Sequence, residues 1–281
     1  MVTLTIDKKT ISVPEGTTIL EAAKSANISI PTLCYLEGVN EIAACRICMV
    51  EVEGHARLVP SCDNAVVEGM VVHTNSPRVR EARRVNLRLI LSQHENNCTK
   101  CTRSGNCKLQ TLCNDYNLLG DHYIKDLKNI PTDFSNPVVR IENRCIRCMR
   151  CIQVCEKIQG MNIWDVVGTG IRTTVGVGRF RTLGESDCTF CGQCVTHCPV
   201  GGLQERDDTG KVFDALAAGA VDFVRKPDGT ESKQSFLDSL AQKIVVASCA
   251  KVRRRAAVSP AAPSLSSVSP AGVGGRSDLD R

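Results

Sequence analysis

The chain has 281 residues, 42% of them hydrophobic and only 4% aromatic, and a formal net charge of +5. That charge is local: the six basic and two acidic residues from Lys251 to Arg281 carry +4, leaving +1 on residues 1–250. A near-neutral body offers no basic face for nucleic-acid phosphates, and no apolar run is long enough to span a bilayer.

The start, Met1 to Asp7, lacks the basic and apolar regions of a secretory signal. The 17 cysteines are therefore read as reduced thiols in a soluble cytoplasmic protein, not as a disulfide scaffold. Small aromatic-poor domains bury little core, so metal binding is expected to supply part of the folding energy.

Taken in chain order, Val2–Ile6 and Thr10–Val13 are β-branched runs around Asp7-Lys8-Lys9, which predicts a hairpin. Thr18 and Glu21 fit a capping box before a short helix carrying Ile19, Leu20, Ala22 and Ala23. Val50-Glu51-Val52 and Val71-Val72-His73 read as further strands. Residues 77–92 read as a helix, with Pro77 at its first position and Val79, Ala82, Val85, Leu89 and Ile90 at helical spacing. Residues 93–120 are short and cysteine-rich, and 121–137, with Pro131 and Pro137, read as a connector. Residues 138–208 contain the chain's internal repeat.

Later, Ala217–Pro227 is followed by a polar turn and a helix predicted from Glu231 to about Lys251. The end is rich in Ser, Pro, Ala and Gly and reads as disordered. The expected fold class is α+β. It comprises a ferredoxin-like β-grasp domain over 1–76 and a small helical domain over 77–120. A domain built on the repeat follows over 138–208, then a βα fragment over 217–250 and a disordered tail over 256–281.

Fifteen cysteines and one histidine form four groups. Cys34, Cys45, Cys48 and Cys62 give C-x10-C-x2-C-x13-C. Four thiolates on one small domain suit a [2Fe–2S] cluster. Zinc ligands come as close cysteine pairs, and Cys34 has no such neighbour. His94, Cys98, Cys101 and Cys107 give H-x3-C-x2-C-x5-C. Three cysteines would leave a cubane one ligand short, and His94 stands one helical turn before the first. A neutral imidazole in that place would raise the potential, and a Cys3His zinc site is the alternative.

The remaining groups, Cys145/Cys148/Cys151/Cys155 and Cys188/Cys191/Cys194/Cys198, both read C-x2-C-x2-C-x3-C, the second followed by Pro199. Cys113 and Cys249 have no partner set and read as small buried side chains. His197 reads as a neighbour of Cys198 and not as a ligand. No acid–base pair, nucleophile or phosphate loop is supported by its surroundings, so no catalytic residue is assigned.

The last two groups resemble the run of two-cluster ferredoxins, in which the fourth cysteine serves the other cluster. That resemblance implies one [4Fe–4S] cluster on Cys145, Cys148, Cys151 and Cys198, and another on Cys155, Cys188, Cys191 and Cys194.

Residues 1–212 resemble the N-terminal relay region of iron-only hydrogenases, above all the NAD(P)-linked multi-subunit type. The likeness covers all four groups, Asn136–Val139, Cys145–Cys151, Met161–Trp164 and Cys188–Val200. It implies one [2Fe–2S] and three [4Fe–4S] clusters and electron transfer between them. It also implies an NAD(P)H-oxidising flavoprotein subunit, a small [2Fe–2S] subunit, and a catalytic hydrogenase domain or subunit as partners.

The complex I large subunit shares the first two groups, and some formate dehydrogenase subunits share all four. A free-standing electron carrier and a zinc-stabilised interaction module are the further alternatives. Residues 217–250 resemble the end of a response-regulator receiver domain and the linker of a chemotaxis-type methylesterase. The receiver's phosphoacceptor region has no counterpart upstream, so no signalling function is assigned to them.

Overall fold

A computed structural model describes residues 1–118, 127, 132, 134, 136–178, 181–218 and 233–249. The chain divides into two units, residues 1–206 and 207–281. Among the described residues no helix is long and apolar enough to cross a membrane.

The first unit opens on the predicted hairpin, β1 (Val2–Ile6) and β2 (Lys9–Val13), paired antiparallel. Asp7 and Lys8 turn it, both with positive φ, as a two-residue turn matched to strand twist requires. The helix α1 (Ile19–Ser25) begins at the expected capping box: Glu21 N–H donates to Thr18 Oγ1 at 3.2 Å, and Thr18 N–H donates to Glu21 Oε2 at 3.1 Å. Strands β3 (Met49–Val52), β4 (Val59–Pro60) and β5 (Val71–His73) complete a sheet ordered β2-β1-β5-β3-β4.

β1 and β5 run parallel, with α1 between them in sequence, and the other pairs are antiparallel. Alternating residues point inward, so Leu4, Ile6, Val50, Val52 and Val72 pack on Ile19, Leu20, Ala22 and Ala23. Cys48 and Cys62 belong to the same core. The short strand β4 was not expected.

The helix α2 (Pro77–Leu91) starts at Ser76, whose Oγ accepts from Val79 N–H at 3.2 Å, with Pro77 at the first position. Its buried stripe is Val79, Arg83, Leu87 and Leu91, spaced four apart and hence on one face. Val85 and Leu89 from the predicted apolar pattern are exposed, Leu89 by 54%. The reason is Arg83. Only 2% exposed, it donates to Met49 O at 2.7 Å, Thr74 O at 2.9 Å and Tyr116 Oη at 3.1 Å. Its two terminal nitrogens are satisfied while Nε is buried without a partner among the described residues, and the side chain ties α2 to β3 and to the residue after β5.

A second core joins Leu87 and Leu91 to Leu109 and Leu112 of α3 (Lys108–Asp115), and to Leu33, Ile47 and Val200. It brings cysteine loops from three parts of the chain to one place. Cys113 packs against it, partly buried.

The repeat region is closed by β6 (Val138–Arg140) and β9 (Leu203–Glu205), paired antiparallel across its ends. Between them lie α4 (Arg150–Lys157), the hairpin β7 (Trp164–Val167) and β8 (Thr174–Val177), and α5 (Gln193–Thr196). None of these strands was predicted.

In the second unit, α6 (Thr209–Ala217) and α7 (Lys233–Cys249) are helical. The latter agrees with the helix expected from Glu231. Most of the receiver-like stretch 217–227, and the tail 256–281, fall outside the described residues.

Candidate metal centres

In the first group, Cys34, Cys48 and Cys62 are buried and Cys45 is partly exposed. They associate as two pairs. Cys48 Sγ lies 3.2 Å from Cys62 Sγ. Cys45 Sγ is hydrogen-bonded by the Cys34 thiol and by Cys34 N–H at 3.4 Å. Cys45 is pulled down to about 6, first by Cys34 and then by the backbone N–H of Ile47, Cys34 and Leu33. Cys48 is pulled down to about 7 by Cys62. The donors Cys34 and Cys62 are pushed well up. Each pair thus shares one proton near neutrality. The loop between them needs left-handed backbone at Ala43 (φ 52) and Arg46 (φ 54), which turns amides inward.

In the second group, His94 is buried at the end of α2, its N–H donating to Leu91 O at 3.1 Å. Cys98 opens a single 3-10 turn, Cys101 ends it, and Cys107 caps α3. Burial pushes the Cys107 thiol up. The Gln110 and Leu109 N–H groups oppose this, and Cys101 and Cys98 are close enough to add repulsion.

The repeat folds each cysteine run alike. Arg147 N–H donates to Cys145 Sγ at 3.4 Å, and Phe190 N–H donates to Cys188 Sγ at 3.4 Å. Both donors are left-handed, at φ 54 and φ 52. Two residues later Met149 (φ 62) and Gly192 (φ 79) cap α4 and α5, again left-handed.

Cys198 does not stay with its own run. It lines one cavity with Cys145, Cys148, Cys151, Trp164 and Val200. Its charge is felt by Cys145, Cys148 and Cys151. Cys155 is likewise a charge neighbour of Cys188 and Cys194, and accepts from Ile163 N–H at 3.4 Å. Burial pushes Cys148 and Cys194 up to about 12, and Trp164 opposes the rise at Cys194 by hydrogen bonding to it.

Among the described residues no three His, Cys, Asp or Glu side chains close around a single metal ion. His197 Nδ1 lies 2.9 Å from Gln193 O within α5 and its cap.

Signals missed from sequence are the Trp164 contact and the two glycines after Pro199. A Cβ on Gly201 would collide with Cys101 Sγ, and one on Gly202 would stand 3.3 Å from Cys145 Cα. The loop after Cys198 therefore runs pressed between the second group and the Cys145 run.

Comparison with known proteins follows the same division. Residues 1–77 match a 2Fe-2S iron-sulfur cluster binding domain. Residues 83–120 match the NADH-ubiquinone oxidoreductase-G iron-sulfur binding region, and 144–202 a 4Fe-4S dicluster domain. These matches, with the thiol-lined loops, define an iron–sulfur region that transfers electrons, of the kind found in NAD(P)-linked hydrogenase and NADH dehydrogenase-like subunits.

More particularly, the chain is 44% identical over 223 residues to the NADP-reducing hydrogenase subunit HndD of Solidesulfovibrio fructosivorans, covering 77% of this chain and 38% of that one. It is 30% identical over 208 residues to the mitochondrial NADH-ubiquinone oxidoreductase 78 kDa subunit of Candida albicans, covering 73% of this chain and 28% of that one. Among solved structures, a chain of an NAD+-reducing [NiFe]-hydrogenase in the H2-reduced state superposes with a TM-score of 0.68 at 28% identity. That match covers 73% of this chain and 87% of that one. The chain spans well under half the length of the curated relatives it matches.

Proposed function

We propose that residues 1–208 form the relay portion of an NAD(P)-linked iron-only hydrogenase, with one [2Fe–2S] and three [4Fe–4S] clusters. In this reading Cys34 and Cys45 hold one iron of the [2Fe–2S] cluster, and Cys48 and Cys62 hold the other. His94, Cys98, Cys101 and Cys107 hold the first cubane. Cys145, Cys148, Cys151 and Cys198 hold the second, and Cys155, Cys188, Cys191 and Cys194 the third. Bound clusters supply one-electron redox chemistry.

The chain's own residues do the rest. The backbone N–H groups of Cys34, Arg147, Ile163 and Phe190 aim at cysteine sulfurs, which favours thiolate and tunes potential. Leu, Val and Ile side chains pack around the sites. The observation that carries the reading is that Cys198 lines the cavity of Cys145, Cys148 and Cys151, while Cys155 lies beside Cys188 and Cys194. A disordered or zinc-finger-like loop has no reason to exchange its fourth thiol.

The domain limits proposed are 1–76, 77–120 and 138–208, the first being a β-grasp ferredoxin domain. The proposed partners are an NAD(P)H-oxidising flavoprotein subunit, a small [2Fe–2S] subunit and a hydrogen-activating domain, in the cytoplasm. The match of 83–120 favours a second reading, the relay of an NADH dehydrogenase. Co-purification with a hydrogen-activating subunit separates the two.

The direct test is iron, zinc and sulfide analysis of anaerobically purified chain, with EPR on stepwise reduction. About 14 irons per chain are expected. A few zincs without sulfide would leave a structural metal-binding module instead.

A further inference from the structure

Asn40 is a polar side chain with 0% exposure that none of the four thiolate groups uses. Its own loop holds it in place. Asn40 N–H donates to Leu36 O at 2.7 Å, and Leu36 N–H donates to Asn40 O at 3.0 Å. From there Nδ2 donates twice, to the carbonyl of Cys34 at 2.8 Å and to the carbonyl of Cys148 at 3.0 Å. The first acceptor belongs to a residue of the first thiolate group. The second belongs to a residue of the Cys145 run, 108 positions from Asn40.

Both hydrogens of one amide are thereby committed to the backbones of two sulfur-bearing residues. Burying an amide is costly unless its donors are matched, so the contact fixes the separation of those two backbones. Two other side chains hold the same loop to α4. Arg150 Nε donates to Cys34 O at 3.0 Å and its Nη2 to Tyr35 O, and Lys157 Nζ donates to Val39 O at 2.8 Å. Asn40 alone among the three joins two such carbonyls.

We infer that Asn40 is a positioning residue that sets the distance and electronic contact between the first thiolate group and the Cys145/Cys148/Cys151/Cys198 group. The inference rests on the reading that both groups hold clusters. The bridge runs from Cys34 Sγ along its side chain to its carbonyl, through the two amide hydrogen bonds, and down Cys148 to its Sγ. In the transfer it serves, one centre loses a single electron and the other gains it. No bond is made or broken, and Asn40, which does not titrate, exchanges no proton.

The test uses the full chain, purified anaerobically with its clusters. Asn40→Leu keeps the branching and the number of side-chain heavy atoms and removes both donors. Iron content and the individual midpoint potentials are expected to stay at wild-type values. The magnetic interaction between the two reduced centres in EPR should weaken, and freeze-quenched electron equilibration between them should slow several-fold. Lys157→Ala cuts a neighbouring tie without touching either carbonyl, and should leave both readouts unchanged.

If Asn40→Leu fails to load iron, Asn40→Ser, with one donor left, should load it and show an intermediate loss. An Asn40 variant with full iron and wild-type interaction and rate overturns the inference. Equal slowing in Lys157→Ala overturns it too, as does loss of iron in Asn40→Ser, which would assign Asn40 to folding alone. Zinc in place of iron in the unaltered chain is a different failure, that of the cluster reading itself.

Discussion

Gly201 is backed directly against Cys101 Sγ, with no room for a side chain between them. The glycine is needed for space, not for backbone freedom. Gly201→Ala should force the Cys198–Gly202 loop away from the second thiolate group, an overpacking cost of about 1–3 kcal/mol. The expected result is loss of about four irons per chain, with the [2Fe–2S] signal intact. Gly202→Ala, whose Cβ would meet three backbone atoms of Arg144 and Cys145 at 3.3–3.4 Å and none closer, should be milder. Iron analysis and EPR of both variants check this.

Cys155→Ser tests the crossed arrangement. Cys155 lies beside Cys188 and Cys194, so its loss should damage the cluster proposed on Cys188, Cys191 and Cys194. The cluster on Cys145, Cys148 and Cys151 should be spared. EPR of the reduced variant resolves the two, and loss confined to the latter would refute the crossing.

The four groups, the capping box at Thr18 and the hairpin turn at Asp7-Lys8 were legible because each is a local pattern with a local cause. What escaped was non-local. The pairing of β6 with β9 joins residues 63 to 67 positions apart, and no periodicity announces it. The stripe of α2 was obscured by Arg83, a charged residue that reads as exposed until Met49 O, Thr74 O and Tyr116 Oη are seen around it. Asn40 and Trp164 were invisible for the same reason: their partners are set by tertiary packing. The proposed exchange of Cys155 and Cys198 rests on likeness to two-cluster ferredoxins, since spacing alone groups each with its own run.

Trp164 is the chain's single tryptophan. It is buried, lines the cavity of Cys145, Cys148, Cys151 and Cys198, and hydrogen-bonds Cys194. A donor to a cluster sulfur raises potential by offsetting negative charge. Trp164→Phe keeps a ring and removes that donor. The cluster proposed on Cys194 should fall in midpoint potential by more than its neighbour does. Redox titration followed by EPR measures both, and an equal shift in the two would point to general loosening of the core.

The thiols also predict an order of loading with pH. Cys45 at about 6 and Cys48 at about 7 supply two thiolates near neutrality, while their partners Cys34 and Cys62 keep their protons. Cys148 and Cys194, held up to about 12 by burial, supply none. Metal binding must displace the remaining protons. A depressed thiol keeps its charge until pH falls through its lowered value, whereas a raised thiol is already protonated well above neutrality. Reconstitution at about pH 6.5 instead of about pH 8 should therefore cost the [4Fe–4S] content of the repeat before the [2Fe–2S] content. Absorbance and iron counts across that range decide it.

His94→Cys addresses the second group. His94 is buried at the end of α2, four residues before Cys98. If its neutral imidazole is the fourth ligand, a thiolate in its place adds one negative charge to the cluster. The cubane should persist, since cysteine is the ordinary ligand, and its potential should fall. His94→Ala should lose the cluster or leave it labile. Redox titration of His94→Cys gives the answer: a cluster present at unchanged potential would remove His94 from the ligand set and leave the site to Cys98, Cys101, Cys107 and another donor.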